Sequence, residues 1–555
     1  PDSVPDDVRT EVSRLAARYG FFHWHLEFPE IFPVPAHGET GPLGWRGGFS
    51  CVLGNPPWER VKLQEQEFFA ARDPRIAAAP NKAARAAMIA GLRDGGSPAG
   101  RALHRSYLDA KRRADGESAL LRHCGRYPLT GRGDVNTYAV FAETFRALTG
   151  PTGRSGVIVP TGIATDATTQ HFFRHVVASG NLAALYDFEN TAPIFEGVHR
   201  SFKFCLLTMS GSGTYEPAAS FAFFLRDAGD IHARSFSLTP EEIRLLNPNT
   251  GTCPVFRGRR DAEITLGIYR RVPVLIREDG PGGNPWRVSL ATMFHMSNDS
   301  GLFHTRDELG ADGWVRRGTE FVRGDERMLP LHEAKMLHHF DHRWAGYAGG
   351  DARELRDATP EDKNDPDFAV LPRYWVDESE VDDRLAGRWD REWLLGWRDI
   401  CRSTDERTLI ASLFPRSAAG NKIPLVLGGN AGLWALALTL SSLVCDYAAR
   451  QKIGGTTMNH YLLMQLPVLA PDRLAAECPW DRRMRTVDWL APRGVELFYT
   501  SHAMRGLAGD MGDAGAPLRW DPARRALLRA ALDAAFFHLY GVSRADVEYI
   551  MDTFP

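Results

Sequence analysis

The chain has 555 residues, 66 Lys and Arg against 69 Asp and Glu for a formal net charge of -3, and 44% hydrophobic residues. That balance argues against a polybasic nucleic-acid coat while leaving room for local basic faces, and the length predicts three or four domains with sizeable cores. Seven cysteines without a Cys-x-x-Cys pair exclude a zinc ribbon and a disulfide framework; with no signal peptide visible, a reducing cytoplasm is the expected setting.

From the amino end, residues 6–18 read as an amphipathic helix, followed by an aromatic-rich stretch at 21–32. The apolar run 49–53 reads as a strand and leads into Gly54-Asn55-Pro56-Pro57-Trp58. In plain structural terms this is a strand and a proline-rich turn, since Asn-Pro is a common turn starter. It also carries chemistry. Two consecutive prolines fix the backbone, so the Asn55 side-chain oxygen and the Pro56 carbonyl are held where both can accept hydrogens from one planar amine. An amine gripped in this way becomes more tetrahedral and more nucleophilic. Trp58 offers a stacking platform for an extruded base, worth on the order of 1–3 kcal/mol, comparable to the cost of unstacking.

Residues 59–132 read as an Ala-rich helical insertion. Between Lys82 and Arg132 it holds eleven Lys or Arg against Asp94, Asp109, Asp115 and Glu117. Such a run is either a solvated helical face or a clamp on nucleic-acid phosphates, with Lys111, Arg112 and Arg113 its densest point. Gly133-Asp134-Val135-Asn136-Thr137-Tyr138 then opens a helix through Phe141, Phe145 and Leu148. A turn at 149–155, a strand at 156–160, a helix at 169–179 and strands at 182–188 and 202–209 follow, a helix-strand succession predicting a doubly wound α/β sheet. Between the last two strands lies Ile194-Phe195-Glu196-Gly197-Val198-His199-Arg200-Ser201-Phe202-Lys203-Phe204.

With these segments in place, the chain resembles the γ-class adenine-N6 DNA methyltransferases, in particular the large type IIG restriction-modification enzymes and related phage-defence methylases. The resemblance implies that Asn55, Pro56, Pro57 and Trp58 form the catalytic motif. It implies that Asp134, Asn136 and Tyr138 lie beside the cofactor S-adenosylmethionine, and that Phe195, His199, Phe202 and Lys203 line the target-base pocket. It continues through Pro330-Leu331-His332-Glu333, Pro372-Arg373-Tyr374-Trp375, Arg402-Ser403-Thr404-Asp405 and Gln451-Lys452-Ile453-Gly454-Gly455, and ends at Asp552-Thr553-Phe554-Pro555. The implied fold is the C-terminal part of a Rossmann-like methyltransferase sheet with a helical insertion, an α+β target-recognition domain and a helical C-terminal module. The expected boundaries are 1–48 for the lead-in, 49–215 for the catalytic core, 216–285 for a connector, 286–470 for recognition and 471–555 for the module. Double-stranded DNA is the implied partner, methylated by base flipping in restriction-modification or phage defence. Cytosine-N4 methylation is the runner-up chemistry, because its amine poses the same problem.

One departure stands out. In the family the glycine-rich cofactor loop precedes the catalytic motif, and residues 1–48 hold no Gly-x-Gly after a strand; Gly41-Pro42-Leu43-Gly44 is no substitute, because Pro42 lacks an amide to offer a ligand. The expectation is therefore an upstream polypeptide or partner chain that completes the cofactor site. The alternatives are a DNA-recognition subunit and a non-methylating scaffold of a defence complex. No PD...ExK nuclease arrangement is visible.

In the recognition region, Arg402, Arg407, Arg416, Asn421 and Lys422 occupy a polar stretch expected to approach DNA or to form internal pairs. His332, His338, His339, Asp341 and His342 invite a metal reading, with His338 and His342 four apart on a helix; the missing glutamate favours a structural role, and no metal is expected. Gln451 to Thr457 reads as a loop entering a last strand, near DNA backbone. The uncharged run 423–445 is broken by Pro424, Gly428, Gly429 and Asn430, so it reads as a strand at 423–427 and a buried helix from about Asn430 instead of a membrane span. Near the end, Asp521 caps and Pro522 starts a helix to about Tyr540, with a second helix at 542–551.

Overall fold

The computed structural model describes residues 4–35, 43–95, 97–191, 194–200, 202–347, 354–429 and 432–555, and divides into two compact units, Pro1–Pro240 and Glu241–Pro555. Gly41, Pro42 and Asn430 lie outside the described residues.

The first unit is built on one mixed sheet of six strands: β1 (Phe49–Gly54), β2 (Thr149–Pro160), β3 (Leu182–Glu189), β4 (Lys203–Ser210), β5 (Ala219–Leu225) and β6 (Phe236–Leu238), in the order β1-β2-β4-β3-β5-β6. β1 runs parallel to β2 and β3 parallel to β5, whereas β4 is antiparallel to both β2 and β3. The parallel join of β1 to β2 requires a crossover, and the helical insertion with helix Thr137–Leu148 supplies it. Along β2 the burial alternates with the pleat: Val157 and Val159 are sealed in the core while Ile158 between them is only half-buried.

Two sequence expectations change here. The predicted turn at 149–155 is the first half of β2, pairing with β1 through a bulge between Phe49 and Cys51. Glycines and prolines suggested a turn, but paired with β1 they form the irregular edge of a ladder. The sheet also runs past residue 215 to β6, so the first part of the expected connector belongs to it.

The lead-in helix Asp6–Tyr19 buries none of its side chains. The following aromatics do real packing: Phe32, Trp45 and Leu148 form a buried cluster joined by Trp24, Phe28 and Phe49, with Phe32 edge-on to Phe49 at 5.0 Å. The insertion is helical as read. Helix Lys82–Asp94 is capped by Asn81, helix Pro98–His123 by Ser97 with Pro98 in its first turn, and Phe68, Phe69, Ile76, Ile89 and Tyr107 give it a small core of its own. On the side of β1 away from β2 no strand is paired among the described residues, and Leu53 stands 76% exposed.

The second unit carries two main sheets. One orders Ala411–Pro415, Trp393–Trp397, Leu425–Gly428 and Val288–Ala291, all antiparallel; the other orders Trp375–Asp377, Glu326–His332, Glu320–Arg323 and Val315–Arg317. The run 423–445 splits as read, into strand Leu425–Gly428 and fully buried helix Leu433–Leu440, followed by Leu443–Arg450. Among the described residues no helix is long and apolar enough to cross a membrane. Asp521 caps helix Pro522–Leu539 and Ser543 caps Arg544–Asp552.

The histidine segment is not helical. His338 and Asp341 form an isolated bridge, so the four-residue spacing does not put His338 and His342 on one helix face. Among the described residues no cluster of three or more metal-ligating side chains exists. Residues 451–457 likewise enter no strand; Pro467 makes only an isolated bridge to Val274. Lys452 points inward, its Nζ donating to the Leu246 carbonyl at 2.6 Å, with burial holding its pKa well below the ordinary lysine range. It is a buried side chain held by internal hydrogen bonds and not a contact for DNA backbone.

Candidate active site

Asn55 to Trp58 emerge from the carboxyl end of β1, beside the carboxyl end of its parallel neighbour β2. Gly54 closes the strand where there is little room: a Cβ there would lie 2.7 Å from the Phe145 ring. Pro56 is buried, Pro57 and Asn55 are exposed, and neither the Asn55 amide nor the Pro56 carbonyl has a hydrogen-bond partner among the described residues. The two acceptors assigned to the amine are therefore open.

The loop is held from behind by the segment that opens helix Thr137–Leu148. Thr137 Oγ1 donates to the Pro57 carbonyl at 2.6 Å and accepts from the Glu59 amide at 2.9 Å; the Thr137 amide donates to the Glu59 carbonyl at 2.9 Å, and the Val61 amide to the Val135 carbonyl at 3.0 Å. Trp58 is half-buried and anchored by its indole N–H on the Ile158 carbonyl at 3.3 Å. Its ring packs on the cluster of Phe188, Phe204, Ala222 and Leu225, and Phe195 packs on the same cluster. The structure thus brings Trp58 and Phe195, 137 residues apart, onto one aromatic wall.

Asn190 shapes the Phe195 segment, and the sequence reading missed it. Fully buried, it donates from Nδ2 to the Phe195 carbonyl at 3.0 Å and the Val198 carbonyl at 2.8 Å, and accepts from the Phe195 amide at 3.1 Å. One side chain satisfies three backbone groups of the loop. Phe202 is 52% exposed and His199 exposed, while Lys203 pairs with Glu189 at 3.3 Å and lies over the Phe224 ring at 4.4 Å. Asp187, the buried carboxyl behind this wall, accepts from the Thr161 hydroxyl and from the Phe224 amide at 3.1 Å, and burial raises its pKa. Phe224 sits at φ +54°, a conformation costing a bulky residue on the order of 1–3 kcal/mol. It lies where β3 and β5 slip register between Tyr186 and Phe188, so strain, bulge and buried carboxyl coincide at the end of the sheet that carries the site.

The residues assigned to the cofactor have mixed fates. Asp134 is exposed. Asn136 spends its side-chain oxygen capping the helix at the Tyr138 amide, and Tyr138 is buried, its phenol pushed above the ordinary range by burial and by Asp166. β1 is followed by Asn55-Pro56-Pro57, and after β2 a Cβ on Gly162 would meet the Asp166 carboxylate at 2.4 Å. Neither strand end offers a glycine-rich turn whose amides could face a ligand. The described residues do not by themselves fit S-adenosylmethionine.

Of the residues assigned to DNA, Lys111, Arg112 and Arg113 are exposed on helix Pro98–His123, with Arg112 close enough to help lower the Glu11 pKa after Arg14. Arg402 is exposed. Arg407 and Arg416 are turned inward instead: Arg407 binds Asp446 at 2.6 Å and the Ser441 carbonyl, and Arg416 binds Glu378 at 3.2 Å and Asp382. Lys422 pairs with Asp399 at 2.9 Å. A polar stretch in sequence does not reveal which cations already own a carboxylate, and these three do.

No family model and no curated protein matches the chain. Solved structures to which it is similar include the type IIL restriction-modification enzyme MmeI in complex with DNA, at 10% identity and TM-score 0.38 over 78% of this chain and 54% of that one. Others are the type IIG restriction endonuclease BpuSI, at 13% and 0.26 over 78% and 52%, and the DrdV–DNA complex, at 9% and 0.31 over 88% and 44%. The likeness is slight in each case, and the chain spans about half the length of these structures.

Two substitutions test the architecture. Asn190→Ala is expected to destabilise the first unit by about 2–3 kcal/mol, because it strands three backbone groups, and to abolish amide-exchange protection at Phe195. Thr137→Val, which keeps the shape and removes the hydroxyl, is expected to cost about 1–2 kcal/mol, with faster exchange at the Glu59 amide.

Proposed function

We propose that this chain supplies the base-facing half of a site-specific DNA methyltransferase acting on the N6 amine of adenine, in a restriction-modification or phage-defence setting. The observation that carries the reading is the Asn55 amide and Pro56 carbonyl, both unpartnered, on a loop clamped by Thr137 and sharing an aromatic wall with Phe195.

The adenine amine is a poor nucleophile because its lone pair is delocalised into the ring. Asn55 Oδ1 and the Pro56 oxygen accept its two hydrogens, localising the lone pair on nitrogen for attack. Rigidity matters as much as acceptor strength, since preorganised acceptors need no rearrangement as the amine pyramidalises. Trp58 and Phe195 provide apolar surface for a base removed from the duplex stack, and Phe202 adds an exposed ring at the rim. S-adenosylmethionine would supply the electrophilic methyl group, held by a lobe beyond these residues. The unpaired edge of β1 with its exposed Leu53 supports the reading that further strands join there. The same edge favours a second reading, a recognition subunit active only in complex. Asp134 is kept as a cofactor-side residue, and Lys111, Arg112, Arg113 and Arg402 as DNA contacts.

The test is transfer of labelled methyl from S-adenosylmethionine to mixed-sequence duplex DNA by the chain alone, by the chain with its native neighbouring sequence, and by the latter carrying Asn55→Ala. Activity confined to the second preparation, and lowered at least about 100-fold by the substitution, is the expected result. Tight DNA binding with no transfer in any preparation would favour the scaffold. Separately, replacing Lys111, Arg112 and Arg113 by Ala together is expected to weaken binding at all sequences and to flatten the log K against log salt slope by about 2–3. An unchanged slope would remove the insertion from the DNA interface.

A further inference from the structure

The second unit encloses a cavity of about 350 Å³ to which the proposed function assigns no role. It lies where strand Glu326–His332, the turn at His342 and Arg343, the loop 368–370, the end of strand Ala411–Pro415 and residues 501–503 converge. Leu329, Phe368 and Val370 give its wall apolar surface, and two histidines set its polarity: His332 and His342, each 6% exposed.

The proton on each imidazole follows from the hydroxyl beside it. His332 Nδ1 lies 2.9 Å from Ser417 Oγ, and that hydroxyl donates its own proton to the Pro415 carbonyl at 3.1 Å. Ser417 Oγ therefore accepts from Nδ1–H, which leaves His332 Nε2 a lone-pair acceptor. At His342 the roles are reversed. Its Nε2 lies 2.9 Å from the Oγ of Ser501, a residue 2% exposed whose hydroxyl has no other acceptor among the described residues. The Ser501 hydroxyl therefore donates to Nε2, and His342 carries its proton on Nδ1. Burial holds both rings neutral, drawing the His332 pKa down to about 4 and the His342 pKa well below the ordinary range.

Neither His332 Nε2 nor His342 Nδ1 has a hydrogen-bond partner among the described residues, and both keep accessible surface in the cavity that their side chains line, whereas Arg343 Nε is sealed off. The rings are near enough that His332 disfavours charge on His342. The cavity thus presents one acceptor and one donor. The charges around them are balanced: Arg343 has Asp341 and Asp365 beside it, Lys363 binds Asp341 at 2.7 Å, Arg327 binds Glu320 at 2.7 Å and Arg416 binds Glu378 at 3.2 Å. Glu392, exposed in the lining, has no cation partner among the described residues. A carboxylate ligand would set its oxygens against the His332 lone pair and Glu392. An ammonium would set its hydrogens against the His342 N–H. Either leaves a buried polar group mismatched, which costs more than a hydrogen bond gains.

We propose that this cavity binds a small neutral aromatic carboxamide, its N–H donating to His332 Nε2, its carbonyl accepting from His342 Nδ1–H and its ring against Leu329, Phe368 and Val370. The volume, at the small end for organic ligands, takes a ring-sized body and little more. The ligand would join the second sheet to the segment at 501–503, so occupancy is expected to stabilise the whole second unit.

Benzamide, acetophenone, benzoate and benzylamine are to be compared on the full chain at neutral pH by thermal melting and titration calorimetry. Acetophenone keeps the carbonyl and puts a methyl where benzamide has its amine. Benzamide is expected to raise Tm saturably with one site, and the other three to bind at least about tenfold more weakly. His332→Phe is expected to weaken benzamide about tenfold and to leave acetophenone, which makes no bond to that ring, within about twofold. Ala503→Phe, at an exposed position in the lining and away from every buried bond, is expected to abolish binding while leaving the unliganded Tm in place, which covers the case in which the His332 variant fails to fold. Acetophenone, benzoate or benzylamine binding as tightly as benzamide, undiminished binding by Ala503→Phe, or no response to any probe would each overturn the proposal.

Discussion

The clamp of Thr137 on the Pro57 carbonyl is the constraint on which the rest of the site depends. Consecutive prolines stiffen residues 55–58, but stiffness alone gives no direction; the short bond from Thr137 and the paired backbone at Glu59 and Val61 supply it. Thr137 is in turn placed by helix Thr137–Leu148, whose Asn136 cap and buried Ala139, Ala142 and Leu148 lock it under the sheet. Parallel pairing of β1 with β2 then brings Ile158 within reach of the Trp58 indole. The insertion of residues 59–132 can sit between loop and clamp because the ends of that insertion are stitched together by these bonds.

A second layer of buried polar groups shapes the opposite wall. Asn190 uses one amide to satisfy three backbone groups of a loop too short to make its own ladder, and Asp187 accepts from the amide of the strained Phe224 and from the Thr161 hydroxyl. Buried polar groups of this kind cost desolvation unless every bond is made, so they select one loop conformation sharply. Their position at the end of the sheet that carries Asn55, together with the slip between β3 and β5, fits the general rule that strain and irregularity gather where a fold must present chemistry.

The strands and helices around the site were legible because their apolar periodicity survives in the structure: β3, β4 and helix Thr137–Leu148 lie within a residue or two of where spacing placed them. The loop at residues 55–58 stands out in sequence because few residue types can hold two acceptors rigidly, and the structure leaves the Asn55 side chain exposed at the end of β1. Residues 149–155 were misread, since glycine and proline mark irregular backbone without saying whether a neighbouring strand will pair with it. Asn190 was invisible because an asparagine after a strand reads as a turn former, and its three partners are defined only once the loop has folded back. Arg407 and Arg416 show the same gap for charge: the carboxylates that claim them lie 34 to 39 residues away. The histidine cluster misled because local spacing was read on a helix that the bridge of His338 with Asp341 replaces.

The outer edge of β1 is left without a strand partner among the described residues. A strand paired on one side only, with an apolar side chain 76% exposed, is a surface that folded proteins ordinarily cover or blunt with charge. Here the neighbours do not blunt it: Cys51 and Leu53 are exposed on the strand, and the lead-in helix Asp6–Tyr19 buries nothing. On the other side of the same strand, every group of the loop clamp is satisfied internally. The loop is thus held by bonds made within this chain, while the strand that carries it is paired on one side and, among the described residues, open on the other. A parallel strand added at that edge would bring its carboxyl end level with Asn55, which is where ligands of parallel α/β sheets are held. Under the proposed function, the open edge and the lack of a fit for S-adenosylmethionine then have one explanation: the surface that receives the base and the surface that holds the donor belong to different segments, and β1 is their seam.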